Sequence, residues 1–227
     1  MSRTRSKRYE ADMANRPPGP VPTKDAVAVI KSFTAGKFDQ TIELVMHLGI
    51  DPRQADQALR GSIALPNGIG QTRKVVAFCE DADVEEAVAA GAAEAGNDEL
   101  IKKIQDGWTD FDVAVATPAM MKSVSRLGRV LGPTGKMPSP KAGTVSPNIA
   151  DTVKEYVAGK VEYRNDDFGN LHVPVGKMSF DADKLTENVD AFIKYVKKIK
   201  PASAKGVYMK RACLSGTMTP SVDVDVQ

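Results

Sequence analysis

Two glycine-marked breaks divide the hydrophobic rhythm of this chain, and the stretch between them cannot fold like the stretches outside. Asn67-Gly68-Ile69-Gly70 is the first break and Gly159 the second. Between them, Lys74-Val75-Val76-Ala77-Phe78 and Phe111-Asp112-Val113-Ala114-Val115-Ala116 are short, nearly continuous apolar runs. Such runs fit strands covered on both faces. Helical patterns over Asp83 to Ala93, Glu99 to Gln105, Pro118 to Leu127 and Asn148 to Val157 alternate with them. Alternating strands and helices predict a parallel sheet with helices on both sides.

The flanks read differently. Arg16-Pro17-Pro18-Gly19-Pro20-Val21-Pro22 predicts an arm or linker without packing of its own. Thr23 is placed as an N-cap for a helix over Asp25 to Phe33. Ile42, Leu44, Met46 and Leu48 alternate and predict a strand. A short helix is expected over Arg53 to Leu59 and another strand over Gly61 to Pro66. After Gly159, the run from Lys160 to Lys177 predicts a β-hairpin about a polar turn at Asn165-Asp166-Asp167-Phe168-Gly169-Asn170. Lys184 to Ile199 is amphipathic, and strands follow over Val207 to Leu214 and Ser221 to Val226. Neither flank has enough partners to close a core alone. The expected architecture is therefore α/β overall. Residues 1–67 and 160–227 build a discontinuous α+β domain, and residues 68–159 form an inserted, Rossmann-like three-layer α/β domain. Two strands crossing near Gly68 and Gly159 would act as a hinge.

Charge narrows the function. The net charge of the 227 residues is only +2, but its distribution is uneven. Residues 1–24 carry six bases and two acids, and Gln71 to Asp112 carries four bases and eleven acids. Val113 to Ala150 has no acid and holds Lys122, Arg126, Arg129, Lys136 and Lys141. Ala191 to Val222 also has none, and holds Lys194, Lys197, Lys198, Lys200, Lys205, Lys210 and Arg211. Clustered cations without neighbouring carboxylates attract phosphates, so the pattern points to a polyanionic partner. No apolar run approaches the ~18 residues of a membrane span, and the basic N-terminus is not followed by the apolar core of a secretory signal. Cys79 reads as a buried thiol in a strand, a disulfide with Cys213 is not expected, and the cytoplasm is the expected compartment.

Enzyme motifs fail on spacing. Gly135-Lys136 lacks both the earlier glycine and the following hydroxyl residue of a phosphate-binding loop. Gly68-Ile69-Gly70 precedes a strand, whereas a dinucleotide fingerprint follows one. His47 and His172 are the only histidines, and no Cys/His group has metal spacing. No catalytic residue, metal or cofactor is expected. A nucleotide-binding enzyme built on the middle domain is the alternative.

Leu131-Gly132-Pro133-Thr134-Gly135-Lys136-Met137-Pro138-Ser139-Pro140-Lys141-Ala142-Gly143-Thr144-Val145 closely resembles a signature of the bacterial large-subunit ribosomal protein one family, the stalk protein beside the tRNA exit site. Lys37-Phe38-Asp39, Leu48 to Arg53, Arg60-Gly61, Leu65-Pro66, Gly107-Trp108, Phe111-Asp112, Ala116-Thr117-Pro118, Lys200 to Gly206 and Ser215 to Ser221 extend the resemblance, in order, over roughly residues 23–226. The resemblance implies a two-domain fold of the kind described. It implies a constituent of the large ribosomal subunit that binds large-subunit ribosomal RNA, forms the mobile stalk and assists release of exit-site tRNA. It further implies repression of the protein's own operon mRNA.

By the same resemblance, Lys37, Phe38, Thr41, Arg164, His172, Lys177, Ser215, Thr217 and Met218 are the rRNA-binding residues. The physics suits them. Structured RNA is recognised by shape through phosphates and 2′-hydroxyls. Lysine and arginine meet the former, serine and threonine hydroxyls the latter, and Phe38 and Met218 pack on riboses or bases. Arg129, Lys136 and Lys141 are expected as a secondary RNA or tRNA contact, with capping of their own domain as the other reading of that loop. The chain departs from the family in three places. Thr219 stands where a glycine is usual, Ala92 to Gly96 is alanine-rich where a clearer strand is usual, and the proline-rich arm replaces a usual N-terminal helix.

Overall fold

The computed structural model describes residues 6–34 and 36–226, so the first five residues of the basic N-terminus lie outside it. In chain order the elements begin with α1 (Lys7–Ala14), α2 (Thr23–Ser32), β1 (Thr41–Leu48) and β2 (Arg60–Ile63). Next come β3 (Val75–Phe78), α3 (Val84–Ala89), β4 (Glu94–Gly96), α4 (Asp98–Gln105) and β5 (Val113–Ala116). Then follow α5 (Met121–Val124), α6 (Gly128–Leu131) and α7 (Ile149–Val157). The chain ends with β6 (Val161–Arg164), β7 (Asn170–Lys177), α8 (Ala182–Lys198), β8 (Met209–Gly216) and β9 (Val222–Val224). The chain is mixed α/β with three sheets among these residues, and it divides into two compact units: residues 1–70 with 163–227, and residues 71–162.

The first unit is organised by β1. Its alternating side chains bury Ile42, Leu44, Met46 and Leu48 and turn Thr41, Glu43, Val45 and His47 to the other face. Both edges of β1 are paired antiparallel, with β7 on one side and β8 on the other, and β9 extends the sheet beyond β8. The apolar face is completed by Leu171, Val173, Val175, Ala212, Leu214, Val222 and Val224. Beneath it lie α2 and α8, packed on each other and on the sheet. Ala26, Val27 and Ile30 from α2 meet Leu185, Val189, Phe192 and Val196 from α8, all 2% exposed or less.

A bulge between Ile42 and Glu43 falls opposite Gly176. At Gly176 φ is +157°, and a Cβ there would stand 2.7 Å from Leu185 Cδ2, so a side chain at this point would push the buried leucine of α8 aside. Asn188 is fully buried in the same layer. Its amide donates to the carbonyls of Gly68 and Val175 at 2.9 and 2.8 Å and accepts from Asn67 N–H at 3.1 Å.

The second unit is a parallel sheet in the order β4-β3-β5. Val76, Phe78, Ala114 and Ala116 face Leu100, Ile101 and Ile104 of α4 together with Val124, Leu127 and Leu131. Val75, Ala77, Val113 and Val115 face Ala87 of α3 and Ile149, Val153 and Tyr156 of α7. Both faces are covered, which is why β3 and β5 read as unbroken apolar runs.

Several local expectations are corrected. The proline-rich arm is packed: Val21 N–H donates to Asp223 O at 3.1 Å and Asp225 N–H to Val21 O at 2.8 Å, sealing the exposed edge of β9. A helix, α1, precedes that arm. Helix α2 starts at Thr23 with Pro22 as its N-cap, so Thr23 caps nothing. Arg53 to Leu59 is a set of turns and not a helix. There Asp51 Oδ1 accepts Arg53 N–H and Gln57 Oε1 accepts Asp51 N–H, side chains competing with the helical pattern. The helix expected from Pro118 to Leu127 breaks into α5, a 3-10 turn at Ser125–Leu127, and α6. The helix expected up to Ala93 stops at Ala89, and the alanine-rich stretch after it forms edge strand β4.

The hairpin is the largest correction. Asp166 does hold a tight turn, accepting the N–H groups of Phe168 and Asn170 at 2.9 and 2.7 Å. The strands on either side then part, joined by one bridge, Asn165 to Leu171. β6 pairs with β2, while β7 joins β1. The apolar side of β7 completes the main core, and a two-stranded hairpin would leave it uncovered.

Two outcomes test this packing. Asn188→Ala strips two carbonyls and one N–H of their partners and lowers unfolding stability by about 2–3 kcal/mol, read by urea denaturation. Tyr208 is buried, its hydroxyl has no hydrogen-bond partner among the described residues, and burial pushes its pKa up to about 12. The unfolded value is about 10, so the neutral ring's contribution is full below that pH and is lost as pH rises towards 12. Tyr208→Phe retains stability at pH 7 and loses less than the parent between pH 7 and 11; an equal loss would contradict the assignment.

Candidate nucleic-acid interface

At the N-terminal end of β1, three distant pieces of chain meet. Thr217 N–H donates to Thr41 O at 3.1 Å, and Thr41 N–H donates to Thr217 Oγ1 at 3.2 Å. Lys177 Nζ donates to Thr41 Oγ1 at 2.8 Å. Gln40, 1% exposed, ties the same pieces together. Its side chain accepts Met218 N–H at 2.9 Å and its carbonyl accepts Met178 N–H at 2.8 Å. Asp39 holds the turn after β7, accepting from Ser179 N–H and Oγ at 3.1 and 2.7 Å.

This scaffold presents Lys37, Phe38, Thr41, Lys177, Thr217 and Met218 at one end of the sheet. Phe38 is 52% exposed and Met218 53%, so neither is a core residue. Ser215 lies on the open face opposite Glu43, and His172 lies further along it opposite Val45. His172 Nε2 stands 4.0 Å from Asp166 Oδ2. The Asp166 carboxyl is held below its ordinary range. Its partial desolvation works the other way, but hydrogen bonds from Asn170 and Phe168, with His172 nearby, outweigh it. Arg164 stands apart, exposed at the end of β6 in the other sheet.

Sequence reasoning missed two residues. Gln40 positions Met218, and a buried glutamine between polar neighbours carries no periodic signal. Glu43 is exposed on the same open face and sets a negative charge beside the hydroxyls.

Thr219, the departure from the family pattern, turns inward. It is 8% exposed, and its Oγ1 accepts Gly216 N–H at 2.8 Å, closing the turn that carries Thr217 and Met218. A Cβ on Gly216 would come within 2.9 Å of that oxygen.

The basic runs resolve differently in space. Arg211 is not free of acids: its guanidinium grips Asp223 on β9 through Nε and Nη2 at 2.7 to 3.1 Å, which holds the Arg211 pKa above its ordinary value. Lys205 and Lys210 line a groove with Gly49, Asp51, Gln54 and Gln57, at the other end of β1 from Thr217. In the second unit, Lys136 donates to the carbonyls of Thr109 and Phe111 and lies over the Phe111 ring. Ser139 N–H donates to Thr144 Oγ1 at 2.8 Å, Gly143 adopts φ +72°, and Tyr156 Oη donates to Ala142 O at 2.9 Å. The signature loop is thus bonded within its own unit. Arg129 and Lys141 remain exposed, and Lys136 does not.

The sequence profile of the family described as "Ribosomal protein L1p/L10e family" matches residues 30–220. The chain is 51% identical over 203 residues to the large ribosomal subunit protein uL1 of Kosmotoga olearia, covering 89% of this chain and 88% of that protein. It is 48% identical over 204 residues to uL1 of Protochlamydia amoebophila, covering 90% and 86%. Against uL1 of Chlorobium phaeobacteroides the identity is 50% over 200 residues, covering 88% and 87%.

The inward role of Thr219 is measurable. Thr219→Val keeps the shape but leaves Gly216 N–H unanswered, and unfolding stability falls by about 1–2 kcal/mol. Thr219→Ser keeps the acceptor and stays near the parent; equal loss in both variants would refute the hydrogen-bond account.

Proposed function

The chain belongs to the ribosomal protein L1p/L10e family, and from that premise we propose that it is a structural constituent of the large ribosomal subunit that grips structured ribosomal RNA with the open end of its β1 sheet. The observation that carries the reading is convergence. Segments near residues 38, 177 and 217 come together through Gln40 and Thr41 to present two cations, two hydroxyls and two exposed apolar side chains on one surface. A folded RNA offers matching groups: phosphates, 2′-hydroxyls and the flat faces of sugars and bases.

In this reading Lys37 and Lys177 meet phosphates, Thr41, Ser215 and Thr217 exchange hydrogen bonds with 2′-hydroxyls, and Phe38 and Met218 pack on riboses or bases. His172, further along the open face, and Arg164, in the other sheet beside the far end of β7, are reached by an RNA that lies along the sheet. The sheet end is held by backbone and buried side-chain bonds, so little ordering is left for RNA to impose. Arg129 and Lys141 form the secondary contact. The finer roles follow from the family premise: the protein forms the mobile stalk, assists release of exit-site tRNA, and represses translation of its own operon mRNA through the same surface. It works in the cytoplasm, within the ribosome. The competing reading, a nucleotide-binding enzyme in the parallel-sheet unit, gains no support from any catalytic constellation described above.

Filter binding of a large-subunit stalk RNA fragment across a salt series tests the reading. Log K falls steeply with log salt, by about 0.7–0.9 per phosphate neutralised. Phe38→Ala weakens binding roughly tenfold while its thermal midpoint holds, and Thr217→Ala weakens it as much with a small fall in midpoint, because Thr41 N–H loses its acceptor. A flat salt response, or tight binding of a mononucleotide in its place, would defeat it.

A further inference from the structure

Helix α1 is not a bystander to this surface. Its Asp12 is 3% exposed, and Oδ1 accepts both the N–H and the hydroxyl of Thr34, at 3.1 and 3.0 Å. Thr34 leads directly into the Lys37-Phe38 segment. One turn earlier on α1, Arg8 Nη2 donates to the carbonyl of Met218 at 3.3 Å. The helix is thereby tied to both halves of the interface. Between it and the Thr217 turn lies a groove of about 390 Å³, lined by Ser6, Arg8, Tyr9, Thr217, Met218 and Thr219.

We infer that this groove is a phosphate subsite of the RNA interface, with Arg8 as its cation; the inference rests on the RNA-binding reading above. A guanidinium carries five N–H donors in a planar fork, and one of them is committed to Met218. That fork matches the oxygens of a phosphate. Ser6 Oγ accepts Tyr9 N–H at 3.3 Å, which leaves its hydroxyl proton to donate into the groove. Tyr9 supplies a wall for the neighbouring ribose. An RNA strand resting on Thr217 and Met218 continues into this groove without leaving the protein, since those two residues line both. The buried Asp12 link holds α1 in place beforehand.

The full-length chain decides this with the stalk RNA fragment, titrated across salt for the parent, Arg8→Ala, Arg8→Lys and Thr217→Ala. Arg8→Ala is expected to weaken binding roughly tenfold and to flatten the log K against log salt slope by about 0.7–0.9, one phosphate's worth. Arg8→Lys restores the slope, because it keeps the charge, but only part of the affinity. An unchanged slope in Arg8→Ala overturns the subsite, even if affinity falls, since Arg8 would then only steady the Met218 turn. If the parent and Thr217→Ala behave as proposed above while Arg8→Ala matches the parent, the subsite alone is wrong. If the parent ignores the RNA, the underlying function is wrong as well.

Discussion

Strand β1 has two edges, and neither finds a partner in the N-terminal part of the chain. Every N–H and carbonyl of a buried central strand must be paired. Here the partners come from more than 100 residues later: His172 lies opposite Val45 on one side and Cys213 on the other. Filling those edges draws the C-terminal part back over the N-terminal one. The return makes the apolar face on which α2 and α8 pack, and it brings Lys177 and Thr217 to Thr41. Core and interface are thus consequences of one pairing requirement.

The proposed interface is polar at its rim and buried at its support. Gln40, Thr219 and the backbone of Gly216 are hidden, and they hold the exposed Phe38, Thr217 and Met218 in fixed relation. A surface that must match a folded partner benefits from such rigidity, because ordering it on contact would cost affinity. Charge along the sequence proved a poor map of charge in space. Arg211 sits in a long acid-free run yet is paired with Asp223 across the sheet, a carboxylate it shares with Arg16, and Lys136 turns its ammonium to two carbonyls of its own unit.

Legibility followed the range of the cause. The alternation of Ile42, Leu44, Met46 and Leu48 placed β1 within a few residues, and the apolar runs at Val75 and Val113 placed the parallel strands, because burial pattern acts side chain by side chain. Arg53 to Leu59 misled because local side-chain hydrogen bonds from Asp51 and Gln57 outcompeted a weak helical pattern. The hairpin at 160–177 misled because the turn chemistry of Asp166 was real while the partner of β7 lay elsewhere. For the interface, resemblance to a family supplied the residues, and burial then showed that Phe38 and Met218 face outward while Thr219 faces in.

Residue order alone carried the mixed α/β character, the position of the alternating strands, and the chemical types able to meet phosphate and hydroxyl groups. Those follow from short-range periodicity and side-chain chemistry. Which strand lies beside which, which cations are left unpaired, and that α1 borders the Thr217 turn all depend on contacts between residues far apart in the chain. No local pattern encodes them, because the free energy of a long-range pair is set by what else must be buried at the same moment.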